Sequence, residues 1–436
     1  MLGLFGAVML TLSCITPASS LFIIVPEVLA GQGSGAVVAL LAGLVVSAGI
    51  GCCYAELGTL TPSSGGEYAM VNRLLGRFAG WITFGLSVAL LVVIPPIIAL
   101  GTADYLADLV AIDRPLAGAA VMLLATLLAV LDVRSNALIT GVFLAVEVVA
   151  AGVVAVLGYT HAERGVDVLV APVAPEGQPY TLAILVAGLT VTMFSFNGFG
   201  TAVYLSEEIK DPRRNVARAV FWSLGLAAVV IVLPTGAAVL GVGSLDELAD
   251  GGFPGYVRSW GGDGLATAVN LGIVVAIMNA VLVMALQNAR VLFASGRDRA
   301  WPEVVNQALT RLHPRWGSPW VATLVIGLPG VAMAALLEIE ELLGVTSVII
   351  CLVSILLAVA ALRARSGAFR PVSAWRMPLW PVIPVLVIAA LAYALAEQAV
   401  ADLLVAGGIV AASALYYLLY LRPRADSRWV VTTPED

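Results

Sequence analysis

The sequence predicts an all-α membrane protein of twelve transmembrane helices, a 5+5 inverted-repeat core with discontinuous helices 1 and 6 followed by two extra C-terminal helices. Three observations predict it. Of 436 residues, 61% are apolar and 11% charged, and a mean hydropathy of +1.01 is too high for a soluble multidomain chain of this length. Twelve apolar stretches are each long enough to cross a bilayer core of about 30 Å. Two of these stretches, five apart in order, carry polar and helix-breaking clusters at mid-depth.

Spans 1 to 5 are read at 3–29, 35–57, 77–103, 115–131 and 137–159, and together they form the first repeat, residues 1–159. Spans 6 to 10, at 179–206, 215–243, 265–290, 319–337 and 342–362, form the second repeat, 179–362. Spans 11 and 12, at 377–396 and 401–421, are accessory, and 422–436 is a cytoplasmic tail. The first stretch lacks a basic leader and is long enough to span, so it reads as helix 1 rather than a cleaved signal. With loops assigned alternately to two sides, 19 of the 22 basic residues fall on the side holding both termini, leaving Arg114, Arg164 and Arg258 opposite. The positive-inside rule then places both termini in the cytoplasm of a multi-pass plasma-membrane protein. Acidic residues lean outward, which either concentrates cations in a vestibule or merely solvates the loops.

Several chemistries are excluded. The one lysine, Lys210, follows no glycine-rich phosphate cradle. His161 and His313 lie in polar stretches and Cys14, Cys52, Cys53 and Cys351 in apolar ones, without metal-ligand spacing or a disulfide framework. The expectation is no enzyme activity, no cofactor, no metal and no nucleic-acid partner. The partners expected are the lipid bilayer, a small molecule and a proton.

Span 1 reads Cys14, Ile15, Thr16, Pro17, Ala18, Ser19, Ser20, Leu21, Phe22, and span 6 reads Phe194, Ser195, Phe196, Asn197, Gly198, Phe199, Gly200. Pro17 removes a backbone donor, and the two glycines relax the helical preference. Unwound backbone at membrane depth survives only where protein or water lines it. Because an odd number of crossings reverses direction, two such breaks five spans apart fit a transporter built from opposed repeats, with its site at their interface. A zwitterion suits that centre. Its carboxylate would meet N–H groups near Ala18 to Leu21 and Gly198 to Gly200, and its ammonium the carbonyls near Cys14, Ile15, Phe194 and Ser195. The alternative is that both breaks only kink packed helices.

These residues resemble the amino acid-polyamine-organocation superfamily of secondary transporters. Ala18 to Phe22 sits where that family carries its Gly-Ser/Ala-Gly-Ile-Phe break. Pro62, Gly65, Gly66, Glu67, Tyr68, Arg73, Gly76, Arg77 and Gly80 resemble its loop before helix 3. Phe194 to Gly200 with Glu207, Glu208, Lys210, Asp211, Pro212, Arg213, Arg214 and Asn215 is similar to its helix 6 signature. Arg290, Gly296, Arg297, Asp298, Pro302, His313, Pro314 and Pro319 match the stretch after helix 8. The resemblance implies alternating access, amino acids or amines as cargo, and Phe194 as the aromatic gate on the outer side; packing is the plainer role for that ring. The sequence departs from the family at Ala18 and Ser20, where glycines are usual, which suggests a small cargo held partly by hydroxyls. The family's base before helix 1 is also missing.

Span 5 carries Glu147 at its midpoint, where an ionisable group is costly unless neutral or paired. Its readings are proton coupling, a counter-ion for an amine, or a structural acid. Some proton-coupled members of the resembled family carry a lysine near this place. Asn270, Asn279, Gln287 and Asn288 in span 8, and Thr346, Ser347 and Ser354 in span 10, read as interhelical glue, with Asn279 also a cavity candidate. Glu207 and Glu208 beside Arg213, Arg214 and Arg218 read as gate salt bridges, with Glu56 and Arg73 in the same layer.

The function that follows is a secondary transporter, symporter or antiporter, of a small neutral amino acid. The alternative cargo is an amine such as a diamine, ethanolamine or an aminobutyrate, and a non-transporting sensor or a channel ranks below both.

Overall fold

A computed structural model describes residues 2–60, 66–107, 112–131, 137–206, 208–242, 245–365 and 375–429. Pro62, Gly65 and Glu207 therefore lie outside the described residues. The first apolar stretch folds as α1 (Leu4–Ile15), α2 (Pro17–Ser19), a π turn over Ser20–Ile24 and α3 (Val25–Gln32). Next come α4 (Ala36–Leu60), α5 (Gly66–Leu75), α6 (Arg77–Ala107), α7 (Arg114–Val130) and α8 (Ala137–Thr160). The second interrupted stretch is α9 (Leu182–Ala187), α10 (Leu189–Ser195) and α11 (Thr201–Tyr204). It is followed by α12 (Pro212–Gly241), α13 (Leu245–Arg297), α14 (Glu303–Leu309), α15 (Trp320–Leu336), α16 (Ile339–Ala364), α17 (Val382–Ala396) and α18 (Val400–Tyr416).

Among the described residues seven segments are long and apolar enough to cross a membrane, the first of them running from Leu4 to Leu60. Three shorter apolar helices, α7, α15 and α17, stand beside them. The outer surface is itself apolar: Val45 is 72% exposed, Leu404 70% and Leu336 80%. Such patches are stable against lipid and a liability in water, so the chain is a multi-pass membrane protein. Inside, α4 packs on α12 and α10, α6 on α13 and α16, and α7 on α15.

One boundary differs from expectation. Residues 245–264, glycine-rich and acidic, read as a loop before span 8, yet α13 begins at Leu245 and runs 53 residues. Packing overrides the weak propensity. Phe253 and Val257 are fully buried, Tyr256 nearly so, and the Tyr256 ring meets Trp260 edge-on at 4.2 Å.

The side bearing most arginines is tied together by specific contacts. Leu2 donates to the Glu208 carbonyl at 2.6 Å and accepts from Lys210 at 2.8 Å, which fixes the N-terminus to the exit of α11. Glu56, 1% exposed, is held by Arg365 through Nε at 2.6 Å and a terminal nitrogen at 2.9 Å, and by the Met377 N–H at 3.2 Å. Its cation is thus Arg365, from the end of α16, where the sequence had grouped it with Arg73.

Residues 422–429 are docked through Trp429. Trp429, 1% exposed, lies 4.9 Å from the Trp81 ring, 5.0 Å from Phe84 and 5.4 Å from Tyr68. Arg77 donates to the Arg428 carbonyl at 2.6 Å, and Arg428 pairs with Glu303 at 3.1 Å. Truncating a buried aromatic costs about 3–5 kcal/mol. Trp429→Ala should therefore lower the thermal midpoint of the detergent-purified protein by several degrees, and Trp429→Phe should recover much of the loss. Unchanged midpoints in both would show that this segment is not docked.

Candidate functional site

The two interrupted stretches meet backbone to backbone. Thr16 adopts a left-handed conformation (φ 49°, ψ 64°), because the proline after it disfavours the helical region. Its N–H reaches back to Leu12 at 3.2 Å, and regular bonding resumes with Ser20 on the Thr16 carbonyl at 3.1 Å. In the other stretch Gly198 has φ +114°, and a Cβ there would lie 2.6 Å from the Cys14 oxygen and 2.9 Å from the Ile15 Cα. Only glycine admits both the torsion and the approach. Among the described residues, the N–H groups of Gly198, Phe199 and Gly200 donate to no backbone carbonyl. Free donors and unwound carbonyls therefore share one centre.

A cavity of about 500 Å³ opens from this centre. At its deep end it is lined by Cys14, Ile15, Thr16, Ser20, Phe194, Asn197, Gly198 and Gly200. Ile24, Ile94, Ile98, Met284, Ile350 and Val353 form apolar wall, while Ser87, Gln287, Asn288 and Ser354 add polar groups. Towards the arginine-rich side it is bounded by Tyr54, Glu67, Tyr204, Glu208, Arg290 and Arg297. Gln287 holds the break from α13, its amide nitrogen 3.0 Å from the Cys14 sulfur. On the opposite side the chain is closed: Phe22 packs edge-on against Tyr105 at 5.9 Å and Phe253 at 5.4 Å, and the Tyr105 hydroxyl donates to the Phe22 carbonyl at 2.6 Å.

Of the residues singled out by sequence, Cys14, Ile15, Ser20, Phe194, Asn197, Gly198 and Gly200 line this cavity. Ala18, Ser19, Leu21 and Ser195 are buried and absent from its wall, and the Ser195 hydroxyl bonds the Val191 carbonyl at 3.3 Å. Asn279 is also absent from the wall. The cavity stripe of α13 runs through Met284, Gln287, Val291 and Ala294, and extended one turn back it reaches position 280, which leaves Asn279 at its edge. Glu147, 5% exposed in α8, lies outside the lining and accepts a hydrogen bond from the Ala18 backbone N–H. Its Oε2 has no partner among the described residues. In an unbroken helix Ala18 would bond the Cys14 carbonyl; here Glu147 takes that donor. Glu208 makes no ion pair with Arg213, Arg214 or Arg218 among the described residues and lines the cavity instead. Sequence reasoning missed Tyr54 and Tyr204, quoted Thr16 as part of the first break without giving it a binding role, and read Gln287 and Asn288 only as glue.

Residues 2–421 match the family described as amino acid permease. An uncharacterized transporter of Mycobacterium tuberculosis is 29% identical over 356 residues, covering 79% of this chain and 76% of the relative. A branched-chain amino acid permease of Lactococcus lactis is 26% identical over 383 residues, covering 81% and 80%. A large neutral amino acids transporter small subunit 2 of Oryctolagus cuniculus is 26% identical over 321 residues, covering 70% of this chain and 59% of the relative.

The cavity has a direct chemical check. Cys14 is partly exposed, whereas Cys52, Cys53 and Cys351 are buried. A small neutral maleimide should alkylate the native protein at Cys14 alone, read by peptide mass mapping. Labelling of the other three as fast as Cys14 would contradict the cavity.

Proposed function

The chain belongs to the amino acid permease family, and we propose that it is a secondary transporter carrying a neutral amino acid across the cell membrane by alternating access. The carrying observation is the meeting of two interrupted stretches at Gly198, over a cavity open to one side and closed by Phe22, Tyr105 and Phe253 on the other. In this reading α1 to α3 are one interrupted span and α9 to α11 another. With α4, α6, α7, α8, α12, α13, α15 and α16 they make ten spans in two opposed repeats, 1–159 and 179–362, and α17 and α18 complete twelve. With both termini cytoplasmic, the open side is the inner one, so this conformation is inward-facing.

The cargo's carboxylate sits on the free N–H groups of Gly198 to Gly200, and its ammonium on carbonyls of the first break. Its side chain lies along Ile24, Ile94, Ile98, Ile350 and Val353. Both this wall and the names of the branched-chain and large neutral amino acid relatives favour a medium-sized apolar side chain over the small cargo suggested by Ala18 and Ser20. A dicationic amine would want a carboxylate at the depth of the breaks. The lining acids Glu67 and Glu208 follow α4 and α11 towards the mouth, and Glu147 turns to Ala18. Phe194 is the ring that closes over the cargo from outside.

Glu147 is the coupling acid of this reading. Ionised, it caps the N–H at the start of α2; protonated, it weakens that cap and lets the first break rearrange. Purified protein in liposomes loaded with unlabelled leucine should take up labelled leucine, and an inward proton gradient should drive accumulation. In Glu147→Gln the gradient-driven accumulation should disappear while exchange persists. Unchanged accumulation in the variant would remove the coupling role, and no leucine entry in the wild type would remove the cargo.

A further inference from the structure

One acid of the cavity wall, Glu67, has no place in the coupling scheme. Glu67, in the first turn of α5, accepts a hydrogen bond from the Tyr54 hydroxyl on Oε1 at 2.5 Å. Its Oε2 is buried and has no partner among the described residues. Both side chains line the cavity. The surrounding contacts link this carboxyl to the second break. The Tyr54 ring meets Phe199 edge-on at 5.5 Å, and a Cβ on Gly200 would stand 2.6 Å from that ring. In return Tyr204 of α11 covers Gly66, where φ is +58° and a Cβ would fall 2.2 Å from the Tyr204 ring. Two tyrosines, each seated on a glycine of the opposing segment, hold Glu67 against the 196–200 turn.

A carboxyl with one oxygen bonded to a hydroxyl and the other buried without a donor is better matched to its neutral form. Burial accordingly pushes Glu67 above the ordinary carboxylate range, with the Tyr54 hydrogen bond opposing. The other charges nearby leave it unpaired. On α4, Glu56 is occupied by Arg365. Arg77 of α6 is turned to the Arg428 carbonyl. At the end of α13 Arg297 lies 3.5 Å from Asp298, and Arg290 and Glu208 share the cavity wall. Tyr68 and Arg73 share α5 with Glu67. Among the described residues none of them makes an ion pair with Glu67.

We infer that Glu67 is a proton-binding site at the cavity mouth, its proton carried on Oε2, and that closure of the inner side requires it to be neutral. The inference rests on the transport reading above. Glu67 Oε2 is already out of reach of water in this conformation; closing the mouth would remove the remaining cavity water around the residue, and a neutral acid avoids that added cost. Exchange should therefore be fast below the Glu67 pKa and slow above it. Tyr54→Phe removes the bond that favours the charged form, so it should move the midpoint to higher pH.

The test is exchange of labelled leucine in liposomes at equal pH on both sides, in the wild type and in a Glu147→Gln background that removes the other carboxyl. The rate should fall with rising pH, approaching about tenfold per pH unit for one proton. In the Glu147→Gln background, Glu67→Gln should exchange at the low-pH rate throughout. A Glu67→Gln protein that keeps the parent's pH profile overturns the inference, as does one that is monodisperse yet exchanges at no pH, since the amide copies the neutral acid. If Glu67→Gln does not fold, Tyr54→Phe decides: an unmoved midpoint overturns the inference. Absence of leucine exchange in the wild type would instead strike the transport reading.

Discussion

A backbone interrupted inside a membrane must find partners for its N–H and C=O groups, and the architecture of this chain follows from how that demand is met. Each unpaired group in hydrocarbon costs several kcal/mol, so a break is tolerable only against another break, a polar side chain or water. Glu147 takes the Ala18 N–H, Gly198 lets the second interruption approach the Cys14 carbonyl, and the cavity leaves the remaining groups open to water. The helices around them position this centre: α12 packs alongside the first break and α4 alongside the second, and α13 supplies Gln287.

The two faces of the centre differ in kind. One is closed by edge-on aromatic contacts among Phe22, Tyr105 and Phe253, an apolar plug needing no charge. The other is rimmed by titratable groups, Tyr54, Glu67, Glu208 and Arg297, on helices fastened by the Glu56–Arg365 pair and the Trp429 cluster. Closing an apolar plug is a packing event, whereas closing a charged rim requires neutralisation or pairing. That asymmetry makes the rim the natural place for pH to act.

Much of this was legible in the sequence because the signals were local. Pro17, Gly198 and Gly200 announce broken helices through backbone sterics alone, and the apolar spans announce themselves by length. What escaped depended on three-dimensional register. Asn279 and Gln287 are both amides on one helix, and only the rotation of α13 decides which faces the cavity. Tyr54 carries no sequence signal, since an aromatic in an apolar span is ordinary core until its hydroxyl is found on Glu67. The start of α13 was hidden by glycines that tertiary packing of Phe253 and Tyr256 overrides. Glu147 was legible as an acid at depth, but its partner, a main-chain N–H freed by a break 129 positions away in sequence, was not.

The central claim is that cargo binds where the two breaks meet, and Cys14 reports on that place directly. The measurement is the rate of Cys14 alkylation in purified protein with and without leucine at concentrations that saturate exchange. The account predicts that leucine slows the reaction markedly while a diamine leaves it unchanged. An alkylation rate indifferent to leucine under conditions where leucine is exchanged would place the cargo elsewhere.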